Sequence, residues 1–404
     1  MTLAEEQFLN TPFLAISKEI LDENINLLTK HLSSVKLFYA VKANSSLAVL
    51  NYFLNRSISF DVASAGEINL LTSIGAKTSD LFLSTPIKTQ ETISALFEHE
   101  IPYATVDTVH EVERIVHYWR EKKTIRYLPS LFIRLALTSS GAQIDLNKKF
   151  GCKLDEGVVV AERASSLGFK VSGISFHVGS NCINPSSYKT GINAALQLAS
   201  LIISKTGIKP SIINIGGGFC DKRHALKLGI CLDEYFSYIQ KSLIPALDKG
   251  FSIYAEPGRI LVSNAGTLVS SIIGISIRNG VRWAYLNDGI YGCYSIKLYE
   301  KQPLSFIRIK RNSGTNDNLK SNLVSWTLAG PTCDSLDVVA EDAILPENLK
   351  VGDLIISPDM GAYSIATACN FNGFKPPPCY LIENNYLSND INLFSHPRHE
   401  NFTT

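Results

Sequence analysis

Charge of one sign is missing from this chain: 38 Lys and Arg stand against 37 Asp and Glu, for a formal net charge of +1. Basic residues gather no further than short groups such as Lys148-Lys149, which read as a solvated loop. A nucleic-acid binder carries a basic stripe, so no polyanionic partner is expected. Cysteine is sparse, with eight in 404 residues, standing singly and with no CxxC pair. That argues against a disulfide scaffold, a zinc or other metal site and a thioredoxin-like motif. Reduced thiols in a cytoplasmic protein are the expectation. The first residues, MTLAEEQFLNTPFLAIS, lack both a basic start and a long apolar run, so no signal peptide is expected. The most apolar stretch, Ile260 to Ile277, is broken by Asn264, Gly266 and Gly274. It is short for a membrane span and reads as a helix followed by a strand, so a soluble chain with no membrane partner is expected.

What is present is a substantial core. Hydrophobic residues make up 45% and charged residues 19%, a globular composition at a length that allows two domains. Eight short β-branched or aromatic runs recur: KLFYAVKA from Lys36, SFDVAS from Ser59, LFLSTP from Leu81, YATVDT from Tyr103, SLFIRLAL from Ser130, VSGISFHVG from Val171, SIINIGGG from Ser211 and SIYAEPG from Ser252. Between them lie helix-like stretches such as residues 65–74, 89–99, 157–166, 187–204 and 232–248. Strands alternating with helices predict a parallel sheet, and eight units predict a closed (β/α)8 barrel over residues 20–258, with a doubly wound open sheet as the alternative. After Arg259 the rhythm changes. WAYLN, LSFIRIK, LVSWTLA, DLIISP and CYLIE follow one another with turn residues between them, predicting an all-β module of residues 259–404 joined by residues 1–19. Arg311 to Ser321 reads as a mobile loop and the last ten or so residues as a frayed tail.

Unusual residues fall where barrel enzymes carry chemistry, at the C-terminal ends of strands. Lys42 ends the first run, Asp61 lies in the second, Arg134 in the fifth and His177 late in the sixth. Gly216, Gly217 and Gly218 close the seventh, and Glu256 closes the eighth. Each has a plain explanation: a charge at a strand end, a satisfied core histidine, a tight turn, a surface ion pair. Each also has a chemical one. A lysine desolvated inside an apolar strand suits covalent chemistry with a carbonyl. A glycine turn lets backbone N–H groups approach a phosphate. The turn is neither GxGxxG nor a Walker loop, so dinucleotide binding and phosphoryl transfer lack support.

Motifs spaced along nearly the whole chain carry a resemblance: YAVKAN at Tyr39, FDVAS at Phe60, KFGC at Lys149, SFHVGS at Ser175, GGGF at Gly216, EPGR at Glu256, NDGIYG at Asn287, GPTCDSLD at Gly330, MGAYS at Met360 and FNGF at Phe371. The chain resembles the fold-type III pyridoxal-phosphate decarboxylases, and within them the eukaryotic-type ornithine decarboxylases. The resemblance implies an alanine racemase-like arrangement of barrel and β domain, with pyridoxal 5'-phosphate as cofactor. Lys42 would hold the cofactor through its amine, Glu256 would face the pyridine nitrogen and His177 would stack on the ring. Ser180, the Gly216–Gly218 turn, Gly258, Arg259 and Tyr363 would hold the phosphate, while Asp61 and Arg134 would orient lysine and cofactor. Cys333 resembles the residue that returns a proton to the carbanion, and Asp334 the carboxylate that grips the substrate's distal amine. Phe371 would line the side from which the carboxylate leaves.

The resemblance further implies a homodimer in which Cys333 and Asp334 serve the partner's cofactor. One departure is Glu300, where the ornithine enzymes carry Asp; the longer arm alters substrate fit without changing reaction class. Decarboxylation of a basic amino acid is expected, with ornithine favoured, lysine and arginine next, and polyamine synthesis as the setting. A diaminopimelate decarboxylase is the alternative, disfavoured because that family has Glu after the reactive Cys. An inactive relative that only binds a protein partner is a further one.

Overall fold

Between Val35 and Ala255 one unit repeats: a short strand of β-branched and aromatic residues, a loop, and a helix with one apolar face. The computed structural model describes residues 11–122, 126–137, 141–142, 144, 147–298, 304–309 and 322–383. It divides into two compact units, Asn24–Leu261 and, separately, the residues up to Glu23 with those from Val262 onward.

The second unit contributes the first strand, β1 (Phe13–Ser17). The barrel follows with β2 (Val35–Ala40), β3 (Ser59–Val62), β4 (Leu81–Leu83), β5 (Tyr103–Val106), β6 (Ser130–Leu135), β7 (Val171–Phe176), β8 (Ile212–Asn214) and β9 (Ser252–Ala255). Each pairs in parallel with the next, and β9 pairs back onto β2, so the sheet closes. These are the eight runs read from the sequence, and closure rules out the open sheet. Helices Ala65–Ser73, Gln90–Glu98, Val109–Glu121, Leu154–Ser166, Ser186–Thr206 and Leu232–Leu247 cover the outside. Several begin where a polar side chain takes up an otherwise orphaned N–H: Ser64 from Glu67, Thr89 from Thr92 and Thr108 from Glu111.

The inner wall is stratified. Residues two apart on a strand face the same way, and the register puts Phe38, Phe82, Phe132 and Ile212 into one buried cluster, with Tyr103 and Tyr254 packed against it. Phe82 and Phe132 meet edge to face at 4.8 Å. One step toward the strand C-termini the same faces turn polar. Ala40 pairs with Asp61, Arg134 with Ser175, and Ser175 with Asn214. An aromatic floor thus lies beneath a polar layer.

In the second unit β10 (Gly266–Arg278) is the spine. Around it run β11 (Val281–Leu286), β12 (Ile307–Ile309), β13 (Leu323–Ala329), β14 (Val338–Pro346), β15 (Leu354–Ser357) and β16 (Cys379–Ile382). The order is β12-β15-β10-β11-β13-β14, and β1 pairs with β10 and β16. Phe13, Ala15, Val269, Leu354 and Ile356 form one core of this sheet. The stretch from Ile260 divides as expected, into a short helix, Arg259–Val262, and then β10. Strand β14 was not legible: VVAEDAILP places Glu341 and Asp342 mid-strand, where both are exposed, and their charge masks its alternation. No described helix is long and apolar enough to cross a membrane. The expected mobile loop at Arg311 to Ser321 and the expected frayed tail lie outside the described residues.

Gly173 makes the floor possible, because a Cβ there would sit 2.3 Å from the Phe132 ring and 2.8 Å from the Ile212 carbonyl oxygen. Gly173→Ala should therefore overpack the barrel and cost about 1–3 kcal/mol. Urea unfolding followed by tyrosine fluorescence measures it, and an unchanged midpoint would contradict this packing.

Candidate active site

Lys42 does not lie in an apolar strand. Strand β2 ends at Ala40, and Lys42 occupies a single 3-10 turn, Val41–Ala43, with both neighbours buried and its own side chain exposed. The expectation of a lysine desolvated inside a strand is corrected: the chain leaves the sheet two residues before it, and the residue as a whole is exposed. Its charge still acts on buried groups around it. Burial pushes the Asp61 carboxyl well above its usual range, with Glu256 adding to the rise and Lys42 and a hydrogen bond with Ser84 opposing it. Glu67 is raised by burial too, while Ala63 N–H, which it accepts at 2.6 Å, and Lys42 counter that.

Glu256 follows β9 and is 8% exposed. Burial raises its carboxyl; Lys42, Arg134 and a hydrogen bond from Asn214 pull it down. That bond is short, Asn214 Nδ2 to Glu256 Oε1 at 2.6 Å. Asn214 Oδ1 accepts from Gly216 N–H at 2.9 Å, and Glu256 N–H donates to Gly216 O at 2.8 Å. Asn214, a residue with no motif to mark it, therefore ties the glycine turn to the acid.

The turn itself is built to receive an anion. All three glycine carbonyls are engaged from behind: Gly216 O by Glu256 N–H, Gly217 O by the Tyr188 hydroxyl at 3.0 Å, and Gly218 O by Cys182 N–H at 2.7 Å. Among the described residues, the N–H groups of Gly217 and Gly218 make no hydrogen bond. Side chains are excluded, since a Cβ at Gly217 would lie 2.3 Å from Glu256 O and one at Gly218 1.9 Å from Gly179 O. Gly216 and Gly218 also have φ of +65° and +86°, open to glycine without strain. His177 lies against all three glycines, each of whose Cβ positions falls 3.1–3.4 Å from one of its atoms. Its Nδ1 accepts from Gly179 N–H at 3.0 Å, so the neutral ring carries its proton on Nε2. Burial, then Lys42 and Arg134, hold its pKa well below the ordinary value.

Arg134 ends the β6 layer, and the KFGC segment explains its setting. Cys152 N–H donates to Arg134 O at 2.9 Å, Phe150 lies 5.3 Å from the guanidinium, and Gly151 N–H donates to Asp107 at 2.8 Å. Asp61 Oδ1, Arg134 Nε and Ser175 Oγ are buried without a hydrogen-bond partner, which leaves them available to a ligand or water. Ser180 is held by its N–H on Ile144 O at 3.0 Å. Gly258 packs against Ala40 and Ala43, where a Cβ would fall at 3.1 Å. Arg259, 7% exposed, acts on the buried Asp221. The barrel unit thus gathers Lys42, Asp61, Arg134, His177, the glycine turn and Glu256 at one end.

The remaining predicted residues belong to the second unit. Cys333 is exposed, and both its N–H and Sγ reach Asn372 Oδ1, at 3.2 and 3.3 Å. Asp334 accepts from Leu336 N–H and from the Tyr291 hydroxyl, which in that order lower its carboxyl. Tyr291, not singled out in the sequence although it lies within NDGIYG, is pushed up to about 12 by that bond. Its ring stacks on Phe371 at 4.2 Å, so Cys333, Asp334 and Phe371 are brought together. Tyr363 has φ +54°, a strained setting for a non-glycine residue. Glu300 lies outside the described residues. A pocket of ≈ 220 Å³ is lined by Asp288, Tyr291, Thr332, Cys369 and Lys375 among others.

A closed barrel with an amine, a buried acid and an anion-receiving turn at its C-terminal end defines a cofactor-dependent enzyme. Residues 18–263 match the family model described as the pyridoxal-dependent decarboxylase, pyridoxal binding domain. The lysine/ornithine decarboxylase of Selenomonas ruminantium is 31% identical over 377 residues, covering 92% of this chain and 90% of that protein. The ornithine decarboxylase of Caenorhabditis elegans is 30% identical over 400 residues, covering 92% and 88%. Among solved structures, the arginine decarboxylase of Paramecium bursaria Chlorella virus superposes with a TM-score of 0.83 at 28% identity, over 94% of this chain and 98% of that one. The chain belongs to the pyridoxal-dependent decarboxylase family, and its cofactor is pyridoxal phosphate.

Asp288 offers a test of the second unit. Burial raises it to about 7, with Asp337 adding to the rise and the N–H groups of Gly289 and Cys293 opposing it. The folded state holds this proton more tightly than the unfolded chain, whose value is 3.8. Stability from this group is therefore present at low pH and is lost as pH rises from about 4 to about 7. Asp288→Asn should melt higher than the parent at pH 8, by an amount that shrinks toward pH 4. A difference independent of pH would contradict the assignment.

Proposed function

We propose that the chain decarboxylates a basic L-amino acid, with ornithine the favoured substrate and lysine and arginine next. The observation that carries this is the likeness over most of the chain to relatives named lysine/ornithine decarboxylase and ornithine decarboxylase, and the tied trio of Asn214, Gly216 and Glu256 suits their cofactor. The barrel residues suit the cofactor: an exposed amine for its aldehyde, a buried acid for its pyridine nitrogen, and two N–H groups in a glycine cradle for its phosphate. When bound, pyridoxal phosphate supplies the electron sink for the charge left on the α-carbon as CO₂ departs.

The chain's own groups do the rest. Glu256, buried and held at Oε1 by Asn214, is best satisfied by a protonated nitrogen opposite it. His177, neutral, would add no charge against the ring on which it would stack. Ser180, Gly258, Arg259 and Tyr363 would join the glycine turn in holding the phosphate, and Asp61 and Arg134 would keep Lys42 and the ring oriented. Cys333 returns a proton to the α-carbon, Asp334 holds the distal ammonium, and the apolar Phe371 leaves the α-carboxylate without polar partners, which favours neutral CO₂. Burial raises the barrel thiols Cys152 and Cys220 to about 12, so neither is a ready acid or base. The family resemblance carries the further reading of an active homodimer in which Cys333 and Asp334 serve the partner subunit's cofactor. The setting we propose for this activity is polyamine synthesis in the cytoplasm.

The test is an amine-product assay with pyridoxal phosphate, offering ornithine, lysine, arginine, 2,4-diaminobutyrate and diaminopimelate at equal concentrations. A basic amino acid should be preferred, ornithine first, and Lys42→Ala should abolish turnover. Activity of that variant near the parent level would sink the proposal. For the shared site, inactive Lys42→Ala and Cys333→Ala proteins are mixed. Partial activity should return, because one site in a mixed dimer keeps both residues; no recovery despite proven subunit exchange would count against it.

A further inference from the structure

A trans peptide is planar, with its C=O and the following N–H pointing opposite ways. Whatever holds the oxygen of one residue therefore aims the N–H of the next. In the Gly216–Gly218 turn, Glu256 N–H holds Gly216 O at 2.8 Å and so aims the Gly217 N–H. Cys182 N–H holds Gly218 O at 2.7 Å. Both holds are backbone. The peptide between them, which carries the Gly218 N–H, is held by a side chain, the Tyr188 hydroxyl donating to Gly217 O at 3.0 Å.

Tyr188 is built for one orientation. It sits near the start of helix Ser186–Thr206, is fully buried, and lies parallel to Phe219 with ring centroids 5.1 Å apart. Behind it Tyr235 donates its hydroxyl to Cys182 O at 2.8 Å, fixing the segment that grips Gly218 O. A hydroxyl at the end of a rigid, stacked ring has little freedom to leave its acceptor. We infer that Tyr188 is a positioning residue for the cofactor's phosphate: its hydroxyl holds the Gly217–Gly218 peptide with the Gly218 N–H toward the anion. The inference rests on the reading of this turn as the phosphate cradle.

The experiment compares pyridoxal phosphate with pyridoxal, since both carry the aldehyde that meets Lys42 and only one carries the phosphate. Full-length protein freed of cofactor is titrated with each by absorbance. Tyr188→Phe should weaken pyridoxal phosphate about tenfold, or about 1.4 kcal/mol, and leave pyridoxal within about twofold. Equal loss for both, or loss for neither, overturns the role of Tyr188. A parent protein that does not prefer pyridoxal phosphate to pyridoxal overturns the cradle itself, so the two failures are distinct. Should Tyr188→Phe lack the parent's far-UV spectrum and cooperative melt, hydrogen exchange on the parent decides. The Gly218 amide should be protected by pyridoxal phosphate and not by pyridoxal, and equal exchange in the two would overturn the inference.

Discussion

Three hydrogen bonds close a ring at the barrel mouth: Gly216 N–H to Asn214 Oδ1, Asn214 Nδ2 to Glu256 Oε1, and Glu256 N–H to Gly216 O. The ring fixes two things at once, the direction of the glycine turn and the position of the buried acid. An anion cradle and a carboxylate repel one another's ligands unless each is aimed separately, and the ring aims them from one side chain. Remove the amide of Asn214 and Glu256 loses its short bond while the turn loses its first anchor. The neighbours depend on it in turn, because His177 lies against the glycines and the Lys42 charge acts on Glu256, Asp61 and His177 together.

The polar layer is possible because of what lies below it. Phe38, Phe82, Phe132, Tyr103 and Tyr254 fill the barrel floor, so the buried, unpartnered Asp61, Arg134 and Ser175 atoms lie over packed rings and not over a void. In the second unit a buried carboxylate plays a comparable organising part. Asp337 accepts from Ile290 N–H at 2.8 Å, Thr332 N–H at 3.1 Å and the Thr332 hydroxyl at 2.6 Å. Gly289 and Gly330 leave it room, since a Cβ at either would lie 2.2–2.3 Å from its Oδ1. The segments carrying Tyr291 and Cys333 are thereby joined through one side chain.

Much of this was legible in the sequence, for identifiable reasons. Barrel strands are buried on both faces, so they stand out as eight apolar runs, and the glycine turn and EPGR stand out because their residue types are unusual at strand ends. Asn214, Tyr188 and Tyr291 did not stand out, since asparagine and tyrosine are common and their importance lies in where a single atom points. Strand β14 was hidden by two exposed acids. Lys42 lies two residues past the end of β2, in the turn that follows the strand and not in the strand itself.

The order of strands and helices, the cluster of chemical residues at strand ends and the family to which they belong follow from the sequence, because alternation, turn chemistry and spaced motifs are local properties. Which carbonyls are tied, which N–H groups are left open, and which acids burial and neighbouring charge shift were decided by the tertiary structure. Those depend on atoms brought together from β2, β3, β6, β7, β8 and β9, and only closure of the barrel sets the distances between them.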